Sequence, residues 1–320
     1  MQTVSYRAIC SEAWGRTKQL LFRPFNLTIW MVVGFGAWLA TLGEQGGSLG
    51  FNWPFSSDQQ MAPRAMAERV MQFIVDHALL VTVTVSAALL ILALVTTVML
   101  WLNSRGKCLF VEQVTSGNPT VQEAWSNQRA HGYSVFLWRI AYLTIASLLL
   151  MCLFGAGVFL VLPCILKGAL LPLPLLLLVL LGFVMLLVLL MMAVVSTFLN
   201  DFVIPIMLLR DETAVCAWHT LLGLFYSRAW VFVAYCFVKT GLMLLFGVVF
   251  LTVFVLTCCL FCVGGVLLAM PYIGTVMLLP YHVFLRYFSL VFLASMGPEW
   301  NLLPSASYSS DVGCSALEKQ

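Results

Sequence analysis

Four ionisable side chains lie inside or directly beside long apolar segments of this 320-residue chain. They are Asp201, Lys239, His282 and Arg286. A charge at the centre of a bilayer costs about 2.5–3.5 kcal/mol or more, so such residues usually pair with one another or mark an ion, proton or substrate site. The sequence therefore points first to a charged site inside a membrane protein, with a gate or a proton-linked site as the chemistry.

The positions of these residues predict one ion pair. Asp201 directly follows an apolar segment, and Arg286 lies about two-thirds of the way along another, so both are expected in the inner half of the membrane. We predict an Asp201–Arg286 pair, which Arg105 joins, and it serves either to fix helix register or to form the functional site. Lys239 either extends to the interface along its apolar stem, which we favour, or remains a buried charge within its span. His282 is interpreted as a hydrogen-bonded packing residue.

Three polar residues share a sequence context that suggests convergence. Asn103, Asn200 and Arg286 each follow an aromatic–Leu pair near the end of an apolar segment. We expect these three positions at equivalent depth, near the inner face. The candidate polar cluster is therefore Asn103, Arg105, Asn200, Asp201, Lys239, His282 and Arg286.

Signatures of enzymes are missing from the sequence. It contains no His-Glu-x-x-His, no Gly-x-Ser-x-Gly and no phosphate-binding Gly-x-x-x-x-Gly-Lys-Ser/Thr. The Cys258-Cys259-x-x-Cys262 spacing is interpreted as a small-residue packing face, since no His or carboxylate is close in sequence to complete a tetrahedral metal site. We therefore predict no catalytic residue, no cofactor and no metal.

The composition indicates a membrane protein. The chain is 62% hydrophobic and 9% charged, whereas soluble domains carry roughly 25% charged residues. Apolar runs of about 20 residues, enough to cross a core of about 30 Å, recur along it. The predicted spans are 24–42, 78–102, 134–162, 170–199, 229–255 and 272–296. Segment 257–270 is either re-entrant or a further crossing.

The distribution of Lys and Arg predicts the orientation. Of the 16 such residues, twelve fall on the side that holds both termini, three fall on the other side, and Lys239 lies within a span. By the positive-inside rule, both termini are cytoplasmic. The net charge of +3 follows from this bias, so no nucleic-acid partner is predicted. The expected partners are the bilayer, anionic lipid and another membrane protein.

An Ala-Trp dipeptide recurs before three of the apolar segments. Trp14, Trp125 and Trp218 each follow Ala, and a second Trp stands 12 to 16 residues later. We interpret these stretches as interfacial amphipathic helices anchored by Trp at the headgroup level. The interpretation gives repeat units at about 3–102, 118–199 and 211–296. These units form one membrane domain over 1–303, followed by a disordered tail at 304–320.

Five segments carry a resemblance that covers nearly the whole chain. They are 13–25 (AWGRTKQLLFRPF), 34–38 (GFGAW), 201–207 (DFVIPIM), 271–275 (PYIGT) and 292–299 (FLASMGPE). The chain resembles an uncharacterised family of bacterial multi-pass membrane proteins. It is more loosely similar, in organisation, to the membrane domain beside some glycerophosphodiesterases and to Yip1-like proteins. The resemblance implies fold and location only, because the phosphodiesterase catalytic domain is missing.

The sequence thus predicts an all-α membrane protein of six helices. These helices form three hairpins, each preceded by an interfacial helix on the cytoplasmic side. Two functions follow from it. The first is a non-enzymatic membrane-organising or accessory protein, and the second is a small-molecule or lipid transporter that uses the polar cluster. A water-filled cavity that reaches Asp201 would favour the transporter, whereas a sealed, dry centre would count against it.

Overall fold

The computed structural model describes residues 5–23, 25–42, 75–116, 125–126, 128–167, 172–261 and 270–303. Within these residues the chain is helical and contains no strand. The helices are α1 (Tyr6–Phe22), α2 (Leu27–Thr41), α3 (Ala78–Ser116), α4 (Arg129–Lys167), α5 (Pro172–Phe198), α6 (Ile204–Arg210), α7 (Ala214–Phe261), α8 (Pro271–Met277) and α9 (Leu279–Ala294). A π-helical segment (Leu199–Val203) joins α5 to α6, and a 3₁₀ turn (Pro298–Trp300) follows α9.

Four of these helices are long and apolar enough to cross a membrane. They cover Ala78–Ser116, Arg129–Val161, Leu175–Arg210 and Ala214–Val253. Their most apolar stretches are almost entirely exposed on the protein surface, which suits contact with lipid chains. Helices α2 and α9, at 15 and 16 residues, are shorter than the about 20 residues that a span usually requires.

The core lies at one end of the long helices. Residues 103–111 of α3, 201–207 around the π-helical segment and 286–293 of α9 are all buried. Each buried stretch begins at, or one residue after, a polar residue that follows an aromatic–Leu pair, namely Asn103, Asn200 or Arg286. Helix α3 has both an exposed apolar part and a buried part, since it continues for fourteen residues beyond the predicted span end at 102, through to Ser116. An apolar run in the sequence therefore reports lipid exposure and does not report where the helix ends.

Helix α1 packs on the protein through a narrow stripe. Ile9, Ala13, Thr17 and Leu21 are buried at four-residue spacing, and α1 lies against α9. The side chain of Trp30 closes the end of α1, since its Nε1 donates to the Leu21 carbonyl at 2.8 Å. This bond satisfies one of the carbonyls that a helix C-terminus leaves without an intrahelical partner.

Helix α7 contains a break at the end of its Ala-Trp stretch. Arg228 has non-helical backbone angles (φ −143°, ψ 41°). The preceding part begins at Ala214, whose N–H donates to the Ser134 side chain of α4 at 2.9 Å. In both described Ala-Trp units the alanine, Ala13 or Ala217, is fully buried. The small residue therefore makes the close helix contact, and the tryptophan lies beside it.

Glycines allow α2 and α3 to approach closely. A Cβ built on Gly106 of α3 would lie 2.5 Å from the Cβ of Leu39 and 2.6 Å from its carbonyl carbon. The same atom on Gly36 would lie 2.1 Å from the amide oxygen of Gln113, a side chain that also donates to the Val32 carbonyl at 3.3 Å. The α2–α3 contact therefore requires glycine at position 106, which faces backbone, whereas at position 36 the flexible Gln113 side chain would have to move.

Several sequence predictions fall outside the described residues. They are the interfacial helix of the second unit at 118–124, most of the loop at 41–77, the centre of segment 257–270, the Cys258–Cys262 side chains and the tail at 304–320.

The glycine packing predicts a stability difference between two Gly→Ala variants. Gly106→Ala should lower the apparent Tm in detergent, because the methyl group would overlap the backbone of Leu39. Overpacking of this kind costs about 1–3 kcal/mol. Gly182→Ala on α5 is the matched control, since nothing lies within 4 Å of its Cβ position. This control should leave the Tm unchanged or raise it. Equal Tm values for the two variants would rule out the described α2–α3 contact.

Candidate functional site

A proline shapes the helix at the centre of the candidate site. Pro205 has no N–H to donate and its ring crowds the preceding turn. The helix accommodates Pro205 through the π-helical segment, in which the Ile204 N–H bonds to the Leu199 carbonyl. The next bond in that register would join residue 205 to the Asn200 carbonyl, and Pro205 cannot make it. The Asn200 carbonyl therefore accepts from Arg286 Nη1 at 2.6 Å.

The neighbouring residue, Asp201, forms a buried ion pair with Lys239 of α7. Lys239 Nζ donates to Asp201 Oδ2, and the two side chains are 9% and 7% exposed. The Tyr235 hydroxyl donates to the same oxygen at 2.9 Å. Lys239 lies four residues after Tyr235, so one face of α7 supplies both donors.

Aromatic rings enclose one side of this pair. Tyr235 lies with its ring centroid 4.4 Å from Phe292, 4.9 Å from Phe202 and 5.5 Å from Phe288. All four side chains are at most 1% exposed. These rings keep water away from the carboxylate, and low polarity strengthens its attraction to Lys239.

A polar cavity of about 150 Å³ lies on the other side of the pair. A water molecule in the liquid takes about 30 Å³, so this space has room for several waters or for a small ligand. Five elements meet around it, namely α2, α3, the π-helical segment, α7 and α9. Its walls are formed by Ala37, Ala40, Thr41, Lys107, Phe110, Asn200, Asp201, Lys239, His282, Leu285 and Arg286.

Positive charge dominates the walls of this cavity. Lys107, Lys239 and Arg286 face the single carboxylate of Asp201 among the lining residues. Lys107 Nζ donates to the Asn200 side-chain oxygen at 2.8 Å, and Arg286 bonds to the carbonyl of the same residue. Two cations thus converge on one neutral residue, an arrangement that favours binding of an anion.

The charge pairing differs from the predicted one. The cation bonded to Asp201 is Lys239, where we expected Arg286. The expected extension of Lys239 to the interface is wrong, because its side chain is buried in the pair. The sequence placed Arg286 and Asp201 at a common depth, but depth leaves open which way each side chain points around its helix.

Two members of the predicted cluster lie elsewhere. Arg105 Nη2 donates to the Trp125 carbonyl at 3.0 Å, and its guanidinium lies 4.2 Å from the Trp125 ring and 5.2 Å from Trp101. Asn103 donates to the Ala40 and Leu42 carbonyls, at 2.7 Å each, and thereby closes the C-terminus of α2. Asn200, Asp201, Lys239, His282 and Arg286 do share the cavity.

Sequence reasoning missed Lys107 and Tyr235. Lys107 lies beyond the predicted span end at 102, although its position four residues after Asn103 puts both on one helix face. Tyr235 precedes Lys239 by the same spacing and was not considered as a hydrogen-bond donor. A search of the polar residues one turn from each candidate would have found both.

The three tryptophans assigned as interfacial anchors make protein contacts. Trp14 packs edge-on against Phe284, with centroids 6.0 Å apart, and Trp218 stacks on Trp138 at 5.2 Å. Trp125 covers Arg105. Over the described residues, the structure has no group of three or more His, Cys, Asp or Glu side chains arranged to hold a metal ion.

The ion pair predicts non-additive mutational effects on stability. Asp201→Asn and Lys239→Met should each lower the free energy of unfolding by about 3–5 kcal/mol, because each leaves a buried charge without its partner. The double variant removes both charges and should lose much less than the sum. Unfolding of all four proteins in detergent measures this difference.

A matched cycle with Arg129, an exposed cation of α4, provides the control. Asp201→Asn and Arg129→Gln should add within about 0.5 kcal/mol. Full additivity in the Asp201–Lys239 cycle would show that the pair does not form.

Comparisons with known proteins locate the chain in a family without assigning an activity. A search of the curated proteins and a search of the solved structures each found no significant match. A family model does match residues 8–278, which is most of the chain. The protein therefore belongs to the family of unknown function DUF7544.

Proposed function

We propose that this protein is a non-enzymatic, multi-pass protein of the bacterial inner membrane that binds a small anion in the cavity at Asp201 and carries it. Both termini are cytoplasmic in this proposal, the helices form three hairpins, and the cavity lies near the inner leaflet. The observation that carries the proposal is the convergence of Lys107 and Arg286 on Asn200 inside a polar cavity.

Electrostatics favours an anion as the ligand. A bound anion would lie beside Lys107 and Arg286, whose bonds to Asn200 hold both cations at the cavity wall. Arg presents a planar fork of donors and Lys a point charge, and both suit carboxylate or phosphate oxygens. The ligand class is therefore a small carboxylate or phosphate.

Irregular helices around the cavity favour a carrier over a static binding protein. The walls include the π-helical segment before Pro205 and the start of α9, which is separated from α8 by non-helical Leu278. Transporters commonly build their sites from interrupted helices, whose free backbone groups face the ligand. Here the Asn200 carbonyl that Pro205 leaves without a backbone donor accepts from Arg286, so the interruption places a cation at the cavity wall.

A second candidate function is membrane organisation through lipid contacts. The basis for it is α1, where Lys18 lies 5.5 Å from the ring of Trp14 on an exposed face. A basic and aromatic face of this kind suits anionic headgroups at the inner surface, and it retains Trp14, Trp125 and Trp218 as anchors near the interface.

Ligand-dependent stability tests the proposed anion site. Inorganic phosphate, sulfate and acetate are titrated separately against the purified protein, with ionic strength held constant by sodium chloride. At least one anion should raise the apparent Tm in a saturable manner, since ligand at 100 times its Kd stabilises by about 2.7 kcal/mol. Uptake of that anion into proteoliposomes then tests the carrier function.

Lys107→Met is the decisive variant for this test. It should abolish the anion-dependent rise, measured from the ligand-free Tm of each variant, because it removes one of the two cations held at Asn200. Arg129→Gln removes a cation outside the cavity and should keep the full response. A response that persists in Lys107→Met, or no response to any of the three anions, would contradict the proposal.

A further inference from the structure

A second and larger cavity lies between α3 and α4, separate from the site at Asp201. Its volume is about 690 Å³, within the range of about 300–1,000 Å³ that is usual for ligand pockets. Residues 95–103 of α3 face residues 139–147 of α4 in antiparallel register. At 1.5 Å per residue the cleft is about 12 Å long, and it lies along two of the long apolar helices.

One end of this cleft is charged. Arg139 of α4 reaches across to α3, where its Nη1 donates to the Asn103 side-chain oxygen and lies 3.5 Å from the Ser104 hydroxyl. Asn103 is held in place by its own bonds to the last carbonyls of α2. The guanidinium is therefore fixed at the end of the cleft nearest the buried core.

The rest of the cleft is apolar. Val95, Met99 and Leu143 line it and are between 40% and 47% exposed. Three of its hydroxyl groups bond within their own helices: Thr96 to the Leu92 carbonyl at 2.9 Å, Thr97 to the Ala93 carbonyl at 2.7 Å and Ser147 to the Thr144 carbonyl at 2.9 Å. These walls consequently present methyl and methylene groups to an occupant.

We propose that this cleft binds one anionic phospholipid of the inner leaflet, with its phosphate at Arg139 and an acyl chain along the apolar walls. The polarity of the cleft matches that of the lipid. In the proposed orientation, the Arg139 end lies toward the cytoplasmic surface and the end at Val95 toward the membrane centre. A fixed guanidinium suits a phosphate group, and the flanking helices supply an apolar wall that opens to the bilayer.

This site goes beyond the proposed anion carrier and uses different residues. The bonds from Asn103 to α2 stand between the two cavities, since Ala40 and Thr41 line the smaller one and Leu42 the larger. If the cleft does not bind lipid, the anion-dependent rise in Tm and its loss in Lys107→Met are still expected. If the smaller cavity does not bind an anion, the retention of phosphatidylglycerol is still expected.

Native mass spectrometry with phosphatidylglycerol tests the proposal. The full-length protein in detergent should retain one phosphatidylglycerol molecule more tightly than phosphatidylcholine. Arg139→Gln should weaken this retention about tenfold or more, the effect expected when a hydrogen bond to a charged group is lost. Ser147→Trp should weaken it as well, because the indole fills the apolar part of the cleft and leaves Arg139 in place.

Two controls match these variants. Arg129→Gln removes the same charge ten residues earlier on α4, and Leu148→Trp adds the same indole at an exposed position outside the cleft. Both should retain the lipid as the unmodified protein does. Unchanged retention in either Arg139→Gln or Ser147→Trp would overturn the proposal.

Discussion

The burial of Asp201 determines how the helix ends meet. A carboxylate in an apolar core must be paired and hydrogen-bonded, since an isolated buried charge costs several kcal/mol. Lys239 and Tyr235 meet this requirement from one face of α7. The adjacent residue, Asn200, then connects α3 and α9 through Lys107 and Arg286. Two consecutive residues of the π-helical segment therefore hold three other helices around a single cavity.

Pro205 is the local cause of this arrangement. In a regular α-helix, the Asn200 carbonyl would bond to the N–H of residue 204 and would offer little to Arg286. The π-helical register shifts that N–H to Leu199 and leaves the Asn200 carbonyl free to accept. π-Helical turns inside α-helices occur frequently at functional sites, and here the turn carries both polar residues of the segment into the cavity. Because Pro205 has no N–H, the Asn200 carbonyl has no backbone donor and accepts from Arg286 instead.

Composition was enough to predict the helical membrane character, and the positions of polar residues in the apolar runs predicted five of the eleven residues that line the cavity. Four of the predicted apolar segments correspond to helices that can cross a membrane, because length and hydropathy decide that property. The partner of Asp201 was mispredicted because segment ends indicate depth but not rotation about the helix axis. The rotation depends on the π-helical turn, and Pro205, four residues after Asp201, was its sequence signal. Lys107 was missed because α3 continues past its lipid-exposed part into the core.

The same distinction explains the Ala-Trp units. The tryptophans were the obvious feature of the sequence, yet the buried residues in the two described units are the alanines. Trp14 and Trp218 lie beside these contacts and pack on other aromatic rings. The packing of α1 on α9 shows that the first unit also belongs to the folded core.

Anomalous diffraction from crystals grown with selenate, a heavy analogue of sulfate, tests whether the cavity binds an anion. We expect one strong selenium peak inside the cavity, within hydrogen-bond distance of Lys107 and Arg286, with the Asp201–Lys239 pair intact beside it. A cavity without selenium, in crystals that show the same ion pair, would contradict the assignment of an anion site. A structure in which Asp201 and Lys239 are apart would contradict the account of the fold.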